Sequence, residues 1–139
     1  MPQVPDSRRA WIESGALGGA LHARHVKTAL MTGMPELIPA LARIGEDELH
    51  ALIGCFGQHV QHAIDVRDRD RLERGFELAT ELLDAATPEV ENAFVVSFLE
   101  SLALPENEAD RRWALSVMPA VLEQAWRTAR DFRERLFDD

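Results

Sequence analysis

The chain is expected to form an all-α fold, a compact orthogonal or antiparallel bundle of five to seven helices. Three observations carry that expectation. Apolar residues recur at helical spacing over most of the chain, no Asn-Gly or Asp-Gly hairpin pair occurs, and there is no tyrosine. With 139 residues, 46% hydrophobic and 28% charged, the chain can bury one core without a disulfide or metal staple and is too apolar to remain disordered. A single domain over 1–139 follows, with 1–33 as a loosely packed helical extension. Ser7–Ile12 and Leu21–Met31 can both be helical, but Gly15, Gly18 and Gly19 loosen what joins them.

Gly33, Pro35 and Pro39 imply a turn and at most a short helix up to Ile44. From Glu46 to Arg67 the set Leu49, Leu52, Ile53, Phe56, Val60, Ala63, Ile64 makes one apolar stripe, with Glu46, Asp47 and Glu48 placed in the first turn of a helix. A second long helix is expected from Asp70, its cap, with Glu73 completing a capping box; Leu72, Phe76, Ala79, Leu83 and Ala86 form its stripe. The short break around Asp68 predicts an antiparallel hairpin of these two. Thr87-Pro88 marks a third start. The segment Val90–Leu104 is apolar in nearly every direction of the helical wheel, which predicts one central helix surrounded by protein. Pro105 ends it, Asn107 with Asp110 opens the last segment, and Pro119 splits that segment before Phe137.

Charge is unevenly placed. The formal net charge is −9, and the nine acids Glu77, Glu81, Asp84, Glu89, Glu91, Glu100, Glu106, Glu108 and Asp110 lie between Gly75 and Asp110 with no Lys or Arg among them; the remainder of the chain balances. Such a field repels nucleic-acid phosphate and anionic lipid and favours a basic partner. Trp11, Trp113 and Trp126 lack the basic–aromatic interleaving of a base-stacking platform. The densest apolar stretches, Ala93–Val96 and Val117–Leu122, fall far short of the ~20 residues that span a bilayer. With no stretch that reads as a signal peptide, a cytoplasmic location is expected, without membrane or nucleic-acid partners.

Candidate chemistry is sparse. His22/His25 and His59/His62 are i, i+3 pairs, with Cys55 four residues before His59, so a metal or small-ligand site is an alternative function. One ion cannot easily join Cys55 and His62, which stand roughly 10 Å apart along a helix. Cys55 and His59 could form a nucleophile–base contact, but the position is mid-helix, and no hydrolase elbow, P-loop or dinucleotide motif is present. No catalytic residues, cofactor or enzymatic activity are therefore assigned. Glu73, Glu77, Glu81 and Asp84 form a carboxylate row on the second helix, read as a solvated face because Glu-x-x-His does not occur. Glu100, within the most apolar helix, must either reach the surface, pair with Arg111, Arg112 or Arg127, or serve a ligand together with Asn92.

The segment Val90-Glu91-Asn92-Ala93-Phe94-Val95-Val96-Ser97-Phe98-Leu99-Glu100-Ser101-Leu102 resembles the central signature of a group of small all-helical bacterial proteins of uncharacterised function. Pro35-Glu36-Leu37, Phe76 followed by Glu81-Leu82-Leu83, and Pro119 with Trp126 stand in a similar order, so the resemblance covers Pro35 to Trp126. Some members resemble immunity proteins that accompany polymorphic toxins. The resemblance implies an immunity-type, protein-binding role, and the acidic block makes the expected partner a basic one. The residues expected to carry it are Glu89, Glu91, Asn92, Glu100, Glu106, Glu108 and Asp110.

Overall fold

The apolar stripe that begins at Leu49 organises the molecule. In a computed structural model, which describes residues 20–137, its residues Leu49, Leu52, Ile53, Phe56, Val60, Ala63 and Ile64 are all buried on one helix, α3 (Leu49–Asp65). Before it come α1 (Val26–Gly33) and α2 (Ile38–Leu41), each entered through a 3₁₀ turn, Ala23–His25 and Pro35–Leu37. After it come α4 (Arg69–Ala85), α5 (Pro88–Phe94), α6 (Glu108–Val117) and α7 (Ala120–Phe137). The fold is all-α, and the described residues include no strand. They include one isolated bridge, in which Leu21 N–H donates to the Ala85 carbonyl (2.7 Å) and Thr87 N–H to that of Leu21 (3.0 Å).

Helix α3 starts three residues later than expected. Glu46, Asp47 and Glu48 lie in the turn before it, where the Glu48 carboxylate accepts from Gly45 N–H (2.7 Å). Its far end closes in a Schellman motif: Asp68 N–H donates to Ala63 and Arg67 N–H to Ile64, with Arg67 left-handed at φ 56°. Arg67 takes the place usually given to glycine, and its side chain is held by Asp110 and by the face of Trp113, 4.8 Å away. Asp68 then caps α4 by accepting from Arg71 N–H (3.2 Å), so the cap is Asp68 and not Asp70. The tight turn makes α3 and α4 the hairpin that the short break predicts. Gly75 lets them approach closely, since a Cβ there would stand 2.8 Å from Val60 Cγ2.

The central segment departs from the expected single helix. After Phe94 it widens into a π turn, Val95–Leu99, in which Glu100 N–H reaches back to the Val95 carbonyl (2.9 Å), and it has left helical geometry before Leu102. The wider turn sets residues four apart more nearly above one another. Phe94 and Phe98 stack with centroids 4.7 Å apart, and Phe56 of α3 stacks on Phe98 at 5.3 Å. Val90, Ala93, Phe94, Phe98 and Leu99 are buried against neighbouring helices, but Val96 is 45% exposed, so the segment is central without being enclosed. Asn107 caps α6 by accepting from Asp110 N–H, and Pro119 separates α6 from α7 as predicted.

The N-terminal expectation needs correcting for the residues described. Leu21, Val26, Ala29, Leu30 and Met34 are essentially inaccessible and belong to the main core, so Leu21–Gly33 is no loose extension. Ser7–Ile12 and the glycines at 15, 18 and 19 lie outside the described residues. Among the described residues, no helix is long and apolar enough to cross a membrane.

Candidate functional site

Helix α5 projects Glu89 and Asn92, three residues apart and so on one side of the helix, toward the start of α3. There they line a cleft of about 440 Å³ with Asp47, Glu48 and His50. No Lys or Arg lines it. Glu46, Asp47 and Glu89 are exposed and form no ion pair with any described residue. His50 closes one wall: its Nδ1 and Ser97 Oγ are 2.8 Å apart, which ties the π turn to α3. Glu91 is exposed too, but two residues on from Glu89 it projects roughly 200° round the helix and does not line the cleft.

The remaining acids expected at the same surface are elsewhere. Asp110 is paired with Arg67, and Glu108 with Arg112 (2.9 Å). Glu106 is exposed, with its carbonyl facing Arg111. Glu89 shares its cleft with the first residues of α3, whereas Asp110 meets Arg67 just beyond the helix's last residue. A helix of 17 residues is about 25 Å long. The nine acids therefore make no single patch: Glu89 lines the cleft at the α3 N-terminal end, Glu108 and Asp110 are tied to arginines at the opposite end, and Glu77, Glu81 and Asp84 lie along α4. Glu100, half-buried after the π turn, avoids full burial, and the described residues include no fully buried charge. In the carboxylate row of α4, Glu73 pairs with Arg69 and is half-buried along with Glu77 and Glu81; only Asp84 is fully on the surface, so the row is less solvated than expected.

Each histidine pair has other engagements. His59 Nε2 lies 3.3 Å from Glu36, and His62 Nδ1 lies 2.9 Å from an Arg71 guanidinium nitrogen. His22 and His25 meet ring edge to ring face, with centroids 6.3 Å apart. Among the described residues, no group of three or more His, Cys, Asp or Glu is placed to hold a metal ion. Burial pushes the Cys55 thiol pKa up, which opposes thiolate formation. Glu36 instead anchors a polar clamp. Arg74 of α4 donates to both of its oxygens (3.0 and 2.7 Å). Those bonds, with lesser help from a backbone bond and His59 and against the cost of burial, hold its carboxyl down to about 2.

Sequence reasoning missed Asp47, Glu48 and His50 as site residues. The Glu46-Asp47-Glu48 run is visible in the sequence but reads there as the first turn of a helix, and nothing local signals that α5 folds against it.

Residues 28–134 match the family model described as a domain of unknown function, DUF7674, and the chain belongs to that family. The match begins within α1, ahead of the stretch that the sequence resemblance covers. No curated protein and no solved structure matches the chain.

Proposed function

We propose that this member of the DUF7674 family is a protein-binding module that docks a basic surface of its partner at the acidic cleft between α5 and the start of α3. The observation that carries the reading is the cation-free lining of that cleft by Asp47, Glu48 and Glu89, with Asn92 and His50 as neutral hydrogen-bonding groups. Clustered carboxylates without counter-charges repel one another. A partner's Lys or Arg relieves that repulsion and speeds encounter. Glu91, projecting from another side of α5, stands outside this docking surface. Glu106, Glu108 and Asp110 contribute less, because arginines already face that group.

An immunity-type role, in which the module neutralises a basic toxin in a bacterial cytoplasm, is the form of this reading that the sequence resemblance supports. Its test is co-expression with the product of the neighbouring gene, scored by co-purification and by rescue from toxicity. Asp47→Lys with Glu89→Lys should weaken the complex at least about tenfold and abolish rescue, whereas Glu108→Lys should leave both nearly intact. Rising salt should weaken the wild-type complex. No complex, or one indifferent to both charge reversal and salt, overturns the reading.

A further inference from the structure

The acidic cleft shares Ala51 with a second groove, which opens on the α2 side of α3 and has a volume of about 580 Å³. Pro39 and Ala40 of α2 and Ile44 of the following turn form one wall, and Gly54 and Cys55 of α3 form the other. The floor is unfilled: a Cβ at Gly54 would meet nothing within 4 Å. Pro39, Ala40 and Ala51 are exposed, and Ile44, Gly54 and Cys55 are half-buried, so apolar surface meets water on both walls. Association with an apolar side chain removes such surface from water.

Arg43 is the one charged residue in the groove lining, and it forms no ion pair with any described residue. Gln58, also in the lining, stands seven residues beyond Ala51 and so roughly 10 Å further along the helix. The combined surface therefore has a direction. Carboxylates without cations lie on the α5 side of Ala51, and apolar walls with a cation lie on the α2 side. A uniformly basic partner surface matches the first part and is repelled by Arg43 in the second. A segment that carries Lys or Arg next to an apolar side chain, with a carboxylate beyond it, is complementary to both.

We infer that the two clefts form one docking surface, continuous across Ala51, for a single amphipathic segment of a protein partner. Its basic group enters the acidic cleft, its apolar side chain lies between α2 and α3 over Gly54, and its carboxylate meets Arg43. The placement of the basic group rests on the docking reading above; the apolar anchor and the carboxylate go beyond it. Burial of the apolar anchor supplies affinity that solvated charge pairs supply poorly, and the charges set orientation and speed encounter.

The test uses the complex of the full chain with the product of the neighbouring gene. Gly54→Gln puts a polar, uncharged chain into the groove and should melt no lower than wild type, because the floor is open and glutamine is the better helix former. It should weaken the complex about tenfold or more, and Arg43→Glu should weaken it about threefold or more. Cys55 is the only cysteine of the chain, so its alkylation by N-ethylmaleimide reports on the groove in the unsubstituted protein. That rate should fall about fivefold or more in the complex. If Asp47→Lys with Glu89→Lys disrupts the complex while Gly54→Gln binds at wild-type strength and Cys55 stays equally reactive, the groove is overturned and the acidic cleft stands. If Gly54→Gln weakens binding and the charge reversal does not, or if no complex forms, the docking reading falls and the shared surface falls with it.

Discussion

Replacing Glu36 with glutamine keeps the shape of the side chain and removes the charge on which the Arg74 fork closes. In the wild type the carboxyl titrates at about 2 in the folded chain, against 4.5 as its ordinary value. Over that interval the unfolded chain binds more protons than the folded one, so stability rises with pH. The contribution is complete above about pH 4.5 and is lost as pH falls through about 2. Taken at face value the difference is worth ~3 kcal/mol at neutral pH. The carboxylate keeps 33% of its side-chain surface in water, and screening there reduces the expected figure to ~1 kcal/mol. Urea unfolding followed by helical circular dichroism should therefore find Glu36→Gln about 1 kcal/mol less stable than wild type near neutral pH, with the gap narrowing toward zero near pH 2. Arg74→Gln should show a loss of similar size and the same narrowing. A gap independent of pH would refute the clamp, because it would mean that the loss comes from packing and not from the charge.

Three further pairs of substitutions test the architecture by thermal or urea unfolding. Gly54→Ala, where a Cβ meets nothing within 4 Å, should stabilise by up to ~1 kcal/mol through helix propensity. The same change at Gly75 forces a Cβ to 2.8 Å from the stiff, branched Val60 and should destabilise by ~1–2 kcal/mol; matching signs would contradict the close α3–α4 approach. Phe98→Ala should cost ~3–5 kcal/mol by removing a fully buried, stacked ring, whereas Val96→Ala should stay within ~0.5 kcal/mol, and comparable losses would argue against the π turn. Asp68→Ala should cost ~1 kcal/mol through loss of the α4 cap while Asp70→Ala costs little; the reverse order would restore the capping box read from sequence.

Periodicity made most of this fold legible, because a stripe of seven apolar residues on α3 can bury itself in only one way. The errors arose where local signals were ambiguous or absent. Asp68 and Asp70 are both competent caps, and the choice between them rests on the Schellman closure at Arg67, a residue whose left-handed backbone nothing in its own chemistry announces. The π turn leaves no distinctive spacing: Phe94, Phe98 and Leu102 keep an i, i+4 pattern whether the segment is α or π, and the exposure of Val96 follows from tertiary placement. The Glu36–Arg74 clamp joins residues 38 positions apart, and no pattern in the sequence pairs them.

The charge distribution was legible as a count but not as a field. Counting acids along the chain treats Gly75–Asp110 as one object, yet the chain runs from one end of α3 to the other between Glu89 and Asp110. Gln61, late in α3, exchanges hydrogen bonds with both backbone groups of Ala103 (2.9 Å each), which holds the approach to α6 at the C-terminal half of that helix. Arg67, Arg111 and Arg112 therefore stand with the later acids, while Glu89 shares a cleft lining with Asp47 and Glu48 that holds no cation. The result is charge unevenly placed along α3: an acidic cleft with no cation in its lining at the N-terminal end, and a mixed group, with an arginine-lined cleft between α6 and α7, toward the other. A uniformly acidic surface would attract a basic partner from any side. In the docking proposed above, an uneven one orients the partner during approach, toward the α5–α3 cleft and away from the arginines.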